Sequence, residues 1–360
     1  MGWWWRKRNK KPTLEKRTLE RGAMVLKDLI EFGHGISNPI KFFSADEIRK
    51  ATNNFSHSNL VSIVYYPFHW YSCKNENHPM IRIKKDVDLF TLFEVDLMCR
   101  DIAVSSMVSG HKNFLKLVGC CLELEYPVMV YHGVKKHYPL EISEQTWKRR
   151  MKIAEDIATA FAYLHTAFPR PFIYRSLYPW NILLDEDGVA KLIDFSLCVS
   201  IPEGETFVKV DSRAVNLYSY LDDNYMSLGG VVSEKTDVFA FGMFMGLTLL
   251  LGYESFLDFY DVSLPSKLKE DRRIEEIADP KMIEKMGQIS EQELCQMNAF
   301  LMLSLRCVGV KGEVPTMVEV AKELKKIQRS LRNDTSSPSG ETQFNSAQDI
   351  SYAVVVSNQT

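Results

Sequence analysis

The spacing of apolar and polar positions divides the chain into a strand-rich part followed by a helical part. Residues 21–33 alternate as a short amphipathic helix that ends at Gly33 and Gly35. Ser44-Ala45-Asp46-Glu47 is a capping box, with Glu47 at the third helical position, and predicts a helix through Asn53. Residues 60–90 are rich in Val, Ile, Tyr and Phe with turn residues between them, the pattern of hairpin strands. Phe93–Ser106 has helical apolar spacing, while Leu115–Leu124 and Val128–Tyr131 predict further strands. From Trp147 onward the pattern is mainly helical. Phe239–Leu251 is too short an apolar block to span a bilayer and predicts a buried helix. Such an order fits an α+β chain with two lobes.

At 360 residues the chain holds a core of about 270 residues plus tails. Residues 1–20 are predicted to be disordered or interfacial. A tail poor in large apolar groups, from about residue 332 to 360, is predicted to be disordered. There is no internal repeat. A net charge of −2 with 25% charged residues argues against nucleic acid as a partner. Cys73, Cys99, Cys120, Cys121, Cys198, Cys295 and Cys307 match no zinc spacing and suit free thiols in a reducing cytosol. The opening has no secretory pattern, and Arg6 stands where a myristoylation motif wants Ser or Thr. Residues 1–21 carry eight Lys/Arg and two Glu, about +6 locally. With Trp3, Trp4 and Trp5 they suit either an anionic membrane surface or a solvated basic tail.

The candidate chemistry centres on Tyr174-Arg175-Ser176-Leu177-Tyr178-Pro179-Trp180-Asn181. The protein kinase catalytic loop reads H-R-D-x-x-x-x-N, so Arg175 and Asn181 stand in place. Ser176 occupies the position of the aspartate that accepts the substrate proton, and Tyr174 that of the histidine. A neutral hydroxyl is a poor base near pH 7, and losing a positioned base costs about 10²–10⁴-fold in rate. Tyr178 replaces the lysine many kinases carry two residues after the aspartate. No catalytic residue is therefore expected.

Other motifs follow in kinase order. Lys84, in Ile81-Arg82-Ile83-Lys84, falls at the phosphate lysine of V-A-I-K, with Arg82 at the alanine position; the alternative is a plain surface lysine. Its helix partner is Asp101 or, alternatively, Glu94; being one methylene shorter than glutamate, Asp101 predicts a strained or lost pair. Tyr131 completes the candidate nucleotide-contacting set. The phosphate loop G-x-G-x-x-G lets backbone N–H groups approach the phosphates, yet no glycine occurs from Ile36 to Ser109. The segment Leu60–Trp70 is instead expected to be a loop packed by its own aromatics. Asp194-Phe195-Ser196 stands for D-F-G, thirteen residues after Asn181. Asn181 and Asp194 hold Mg²⁺, or Asp194 merely bonds backbone amides.

The segments Phe43-Ser44-x-x-Glu47-Ile48, His111-x-Asn113-Phe114-Leu115-x-Leu117-x-Gly119-Cys120-Cys121 and Ser233-x-Lys235-x-Asp237-Val238-Phe239-Ala240-Phe241-Gly242 resemble plant receptor-like kinases, over about Phe43 to Leu331. The resemblance implies a bilobal kinase fold: residues 1–40 a basic segment, 41–56 a lead-in helix, 57–131 the small lobe and 132–331 the large one. It places Asp237 on the central helix of the large lobe. Asn224 stands where relatives carry a glutamate, and Val314, before Pro315-Thr316-Met317, where they carry its arginine. Replacing both members of a buried pair is nearly neutral, whereas losing one costs about 3–5 kcal/mol.

Trp3-Trp4, Arg21-Gly22-Ala23, Pro39-Ile40-Lys41, Tyr174-Arg175 and Glu313-Val314-Pro315-Thr316-Met317 resemble more narrowly a small plant family of inactive receptor-like cytoplasmic kinases. Its members act in immunity as adaptors between a coiled-coil NLR receptor and kinases modified by bacterial effectors. The resemblance implies a pseudokinase adaptor in the cytoplasm, at the plasma membrane. Its activation segment Cys198–Asn224 is then a sensing element, with Ser200, Thr206, Ser212 and Ser219 as candidate modification sites. Arg175 is a candidate receiver of a modified partner residue. The alternatives are a weak kinase using Asn181 and Asp194 for metal, and an ATP-gated switch without turnover.

Overall fold

A computed structural model describes residues 13–33, 37–62, 68–75, 78–86, 95–133, 138–210, 230–253, 273–310 and 312–329. Glu94, Ser212, Ser219, Asn224, residues 63–67 of the glycine-free segment and the tail from residue 330 lie outside them.

The first half builds a six-stranded sheet from β1 (Lys41–Phe42), β2 (Leu60–Ser62), β3 (Phe68–Asn75), β4 (His78–Asp86), β5 (Leu117–Cys121) and β6 (Val128–His132). Their order is β1-β5-β6-β4-β3-β2; β1 runs parallel to β5, and the other neighbours are antiparallel. Gly119 is required at the β1–β5 contact, since a Cβ there would lie 2.0 Å from the Lys41 carbonyl oxygen. Side chains alternate across the sheet. Tyr71, Ile83 and Val130 pack on one face with Phe43 and Ile48, beneath the lead-in helix α2 (Ala45–Thr52). The expected capping box starts α2, and Asn53 closes it at φ 49°.

Two helices cover the other side. α1 (Leu14–Gly33) packs along α3 (Val95–Val108), with Arg100 3.6 Å from Asp28 and its guanidinium over the Phe32 ring. α1 starts seven residues before the sequence expectation, and residues 14–20 are helical rather than disordered. Its first two turns are charged, and Leu14 and Leu19 are exposed, so no apolar stripe betrays them. Arg21 anchors α1. Its buried guanidinium donates to the carbonyls of Leu122 (2.7 Å), Leu124 and Glu125 at the β5–β6 turn.

The second half is built on α4 (Trp147–Thr166), α5 (Glu234–Met243), the short α6 (Ile274–Ile277) and α7 (Pro280–Met286), α8 (Glu291–Cys307) and α9 (Met317–Arg329). α9 packs on α4 and α8 on α5. The apolar block after Phe239 is buried as expected, with a π-helical stretch over Phe244–Leu250. Buried Arg150 is satisfied by Asp279 and by the carbonyls of Gln145, Ile142 and Leu249. Short strands also occur among the helices. β7 (Tyr138–Pro139), β9 (Ile182–Leu184) and β10 (Ala190–Leu192) form one sheet, β8 (Phe172–Ile173) pairs with β11 (Val199–Ser200), and β12 (Val208–Lys209) pairs with β13 (Val231–Val232). Strands of two or three residues are too short to show a period. No described helix is long and apolar enough to cross a membrane.

Candidate nucleotide and phosphotransfer site

Asp237 on α5 fixes the backbone of the loop that replaces the catalytic one. Its carboxylate accepts the N–H groups of Tyr174 (2.8 Å) and Arg175 (3.0 Å) and lies 3.0 Å from His165 Nε2. These contacts hold Arg175 at φ 63°, an uncommon conformation for a bulky residue. Arg175 Nη1 donates to the Leu197 carbonyl at 3.1 Å, tying this loop to the start of the activation segment. Tyr174 is wholly buried. Its hydroxyl donates to the Ile193 carbonyl, and its ring meets Phe195 edge-on at 5.5 Å. Burial pushes this phenol far above its ordinary range.

Ser176 is wholly buried too. Its Oγ accepts Asn181 Nδ2 at 2.9 Å and lies 3.5 Å from Asp194 Oδ2. Asn181 Nδ2 also reaches the Ser176 carbonyl (2.9 Å) and Asp194 Oδ2 (3.4 Å). The hydroxyl therefore belongs to a buried polar cluster with Asn181 and Asp194. Tyr178, at the missing lysine's position, stacks on Trp180 with centroids 4.5 Å apart.

Lys84 is buried, not a surface lysine. Its ammonium meets Asp101 Oδ2 at 2.7 Å and lies 3.9 Å from Asp194 Oδ1. This corrects the expectation of a strained or lost pair. Asp101 sits on the face of α3 turned to the sheet, and that approach supplies the reach its shorter side chain lacks. Its other oxygen accepts the N–H of Phe195 (2.9 Å) and Ser105 Oγ (3.1 Å). Asp194 stands at φ 65°, with Oδ1 also accepting the Ser196 N–H at 3.4 Å. Burial pushes its carboxyl above the ordinary value; nearby Lys84 pulls it back, and Asp101 adds to the rise.

The residue sequence reasoning misplaced is Trp70. It lies in β3 rather than in a self-packed loop, opposite Lys84 in register and only 6% exposed. Residues directly opposite across a strand pair share a face. Lys84 is opposite Met129, and Tyr131 follows two residues on, so Trp70, Lys84, Met129 and Tyr131 all face the same side. The Trp70 and Tyr131 rings lie 5.6 Å apart. Both belong to one buried apolar cluster with Ile102, Leu117, Leu183 and Ile193. Leu183 comes two residues after Asn181, and Ile193 just precedes Asp194. The cluster therefore runs from the sheet to the floor under the polar groups. Tyr131, expected to contact nucleotide, is fully buried within it. The available signal was that a strand position opposite the phosphate lysine must face the slot.

Lys84, Asp101, Asn181 and Asp194 are thus brought together as the sequence predicted. The activation-segment candidates are not alike: Ser200 is buried in β11 with its hydroxyl enclosed, so it is not presented for modification, whereas Thr206 is exposed.

ATP with magnesium, which kinase domains generally bind, meets obstacles at the base and at the phosphate loop rather than at the metal position. At the metal position Asp194 supplies a carboxylate, and Asn181 Oδ1 is a buried acceptor without a hydrogen-bond partner among the described residues, so these two residues keep the oxygen donors a divalent cation needs. On the sheet face beside Lys84, Trp70 is buried against Tyr131 in an apolar cluster that also includes Leu183 and Ile193.

Known proteins match the chain along most of its length. The protein tyrosine and serine/threonine kinase family matches residues 69–304. A probable inactive receptor-like protein kinase of Arabidopsis thaliana is 69% identical, covering 98% of this chain and 100% of its own. The Arabidopsis thaliana inactive serine/threonine-protein kinase ZRK12 is 66% identical over 100% of this chain and 90% of its own. The non-functional pseudokinase ZRK15, also from Arabidopsis thaliana, is 51% identical over 94% and 99%.

Proposed function

Since the chain belongs to the protein tyrosine and serine/threonine kinase family, among relatives named inactive or non-functional, we propose that this pseudokinase is an adaptor in plant innate immunity. In this reading it joins a coiled-coil NLR receptor to receptor-like cytoplasmic kinases that bacterial effectors modify, or is itself the effector's target. It works in the cytoplasm at the plasma membrane, with the basic segment ahead of Arg21 as the membrane contact; Arg21 itself is buried against the small lobe. The observation that carries the reading is Ser176: a buried, neutral hydroxyl locked between Asn181 and Asp194 where a base must meet substrate. A fold that keeps its kinase frame while closing its chemistry is maintained for shape.

Two surfaces support a binding role. Leu19, Leu26 and Ile30 lie at i, i+7 and i+11 on the outer face of α1, each more than half exposed. Thr206 and Phe207 stand exposed at the described end of the activation segment, where a modified or inserted partner can be sensed. The test is co-purification of the full chain with such a receptor, with and without an effector-modified kinase. The reading predicts a complex that forms equally well with Asp194→Asn. A complex that requires ATP and is lost with Asp194→Asn supports the other reading, a weak kinase or nucleotide-gated switch.

A further inference from the structure

The nucleotide slot is not simply disabled; one side chain takes the ligand's place. We infer that the indole of Trp70 is a built-in substitute for the purine base, and that the slot it fills is a latent site for a neutral bicyclic heteroaromatic ligand. Indole and purine are both flat fused five–six ring systems, so one can occupy the space of the other. Trp70 stands opposite Lys84 on the sheet face that a nucleotide must enter. Its ring is set against Tyr131 at 5.6 Å and buried in the cluster that reaches Leu183 and Ile193. Protein interiors are close-packed, and a ring this enclosed leaves no room for a second one.

The polar half lacks its phosphate cradle, although Lys84 keeps its ion pair with Asp101 at 2.7 Å. The absence of glycine from Ile36 to Ser109 removes the backbone cradle. A ligand that replaces Trp70 is therefore a base or nucleoside rather than a triphosphate. The occupied slot also joins the two lobes through one apolar cluster, a task that bound nucleotide performs where the slot is open. The inference concerns the slot and not the partners, so it stands or falls separately from the adaptor reading.

The test uses the full chain with Trp70 intact, Trp70→Val and Trp70→Phe, each melted with indole, adenosine or Mg²⁺-ATP. The intact chain is expected to be unmoved by all three. Trp70→Val is expected to melt lower and to be raised by roughly 3 °C by indole and by adenosine at tenfold excess over their Kd. Mg²⁺-ATP is expected to raise it less, and Trp70→Phe to respond weakly. Stabilisation of the intact chain by adenosine or Mg²⁺-ATP overturns the inference; so does a folded Trp70→Val variant that indole stabilises and adenosine does not. Should Trp70→Val not fold, 5-fluorotryptophan labelling of the intact chain decides, with the Trp70 resonance assigned through Trp70→Phe. That resonance stays fixed under saturating adenosine if the indole holds the slot, and moves if the base enters beside it.

Discussion

Asp101 reaches Lys84 at 2.7 Å across the buried space between α3 and β4, although its side chain is one methylene shorter than the glutamate kinases use. The pair is dry, with both side chains almost wholly buried. Its carboxylate is further bound to the Phe195 N–H and Ser105 Oγ. Removing one partner from such a pair leaves an uncompensated buried charge. Asp101→Ala and Lys84→Met are each expected to lower unfolding free energy by about 3–5 kcal/mol, measured by urea denaturation. The double variant Lys84→Met/Asp101→Leu is expected to lose less than the sum, because the two charges no longer strand each other, while Asp194 still loses its nearby ammonium and the Phe195 N–H its acceptor.

Restoring an aspartate does not restore a kinase. Ser176→Asp places a further carboxylate beside Asp194, in a position with no exposure. Stability is expected to fall by on the order of 3 kcal/mol. Radiolabelled phosphate transfer to a generic protein substrate is expected to stay at background, because the slot and the phosphate loop are still missing. Activity gained by this single change would show that Ser176 alone was the defect.

Asp194 makes stability depend on pH in a defined direction. Its folded value is raised, mainly by burial. Between the ordinary aspartate value and that raised value, the unfolded chain has lost a proton that the folded chain keeps. Stability therefore falls as pH rises through that window, and the penalty is complete above it. Asp194→Asn removes the titration. Urea unfolding between roughly pH 4 and 8 is expected to show a decline in the parent that the variant lacks. At neutral pH the variant is expected to be no less stable than the parent.

Arg21 ties α1 to the small lobe through three carbonyls at the β5–β6 turn. Arg21→Met leaves those acceptors without a donor and is expected to cost about 1–3 kcal/mol. The effect should be local. Amide exchange is expected to quicken across Leu14–Gly33 while α4 and α9 keep their protection. Uniform acceleration across both lobes would show instead that α1 is integral to global stability.

How far the sequence could be read depended on whether each signal was local. The capping box at Ser44 and Glu47 lies within one turn and forms as expected. The spacing that aligns Tyr174, Ser176, Asn181 and Asp194 survives as a cluster, because one loop and the neighbouring strands carry all of them. Asp101 was placed correctly by spacing, but its reach depends on how closely α3 approaches the sheet, which no spacing records. Trp70 escaped for a related reason. Its place is set by strand register against Lys84 and by an apolar cluster that includes Leu183, all residues distant in sequence. The start of α1 was hidden because its first turns have charged and exposed positions on every side.

The central claim is that this kinase frame transfers no phosphate. It is tested most directly by incubating the purified full chain with γ-labelled ATP, magnesium or manganese, and a generic substrate protein, with Asp194→Asn in parallel. The account predicts label on neither chain nor substrate, and no difference between parent and variant. Incorporation into the parent or the substrate that disappears with Asp194→Asn would contradict it.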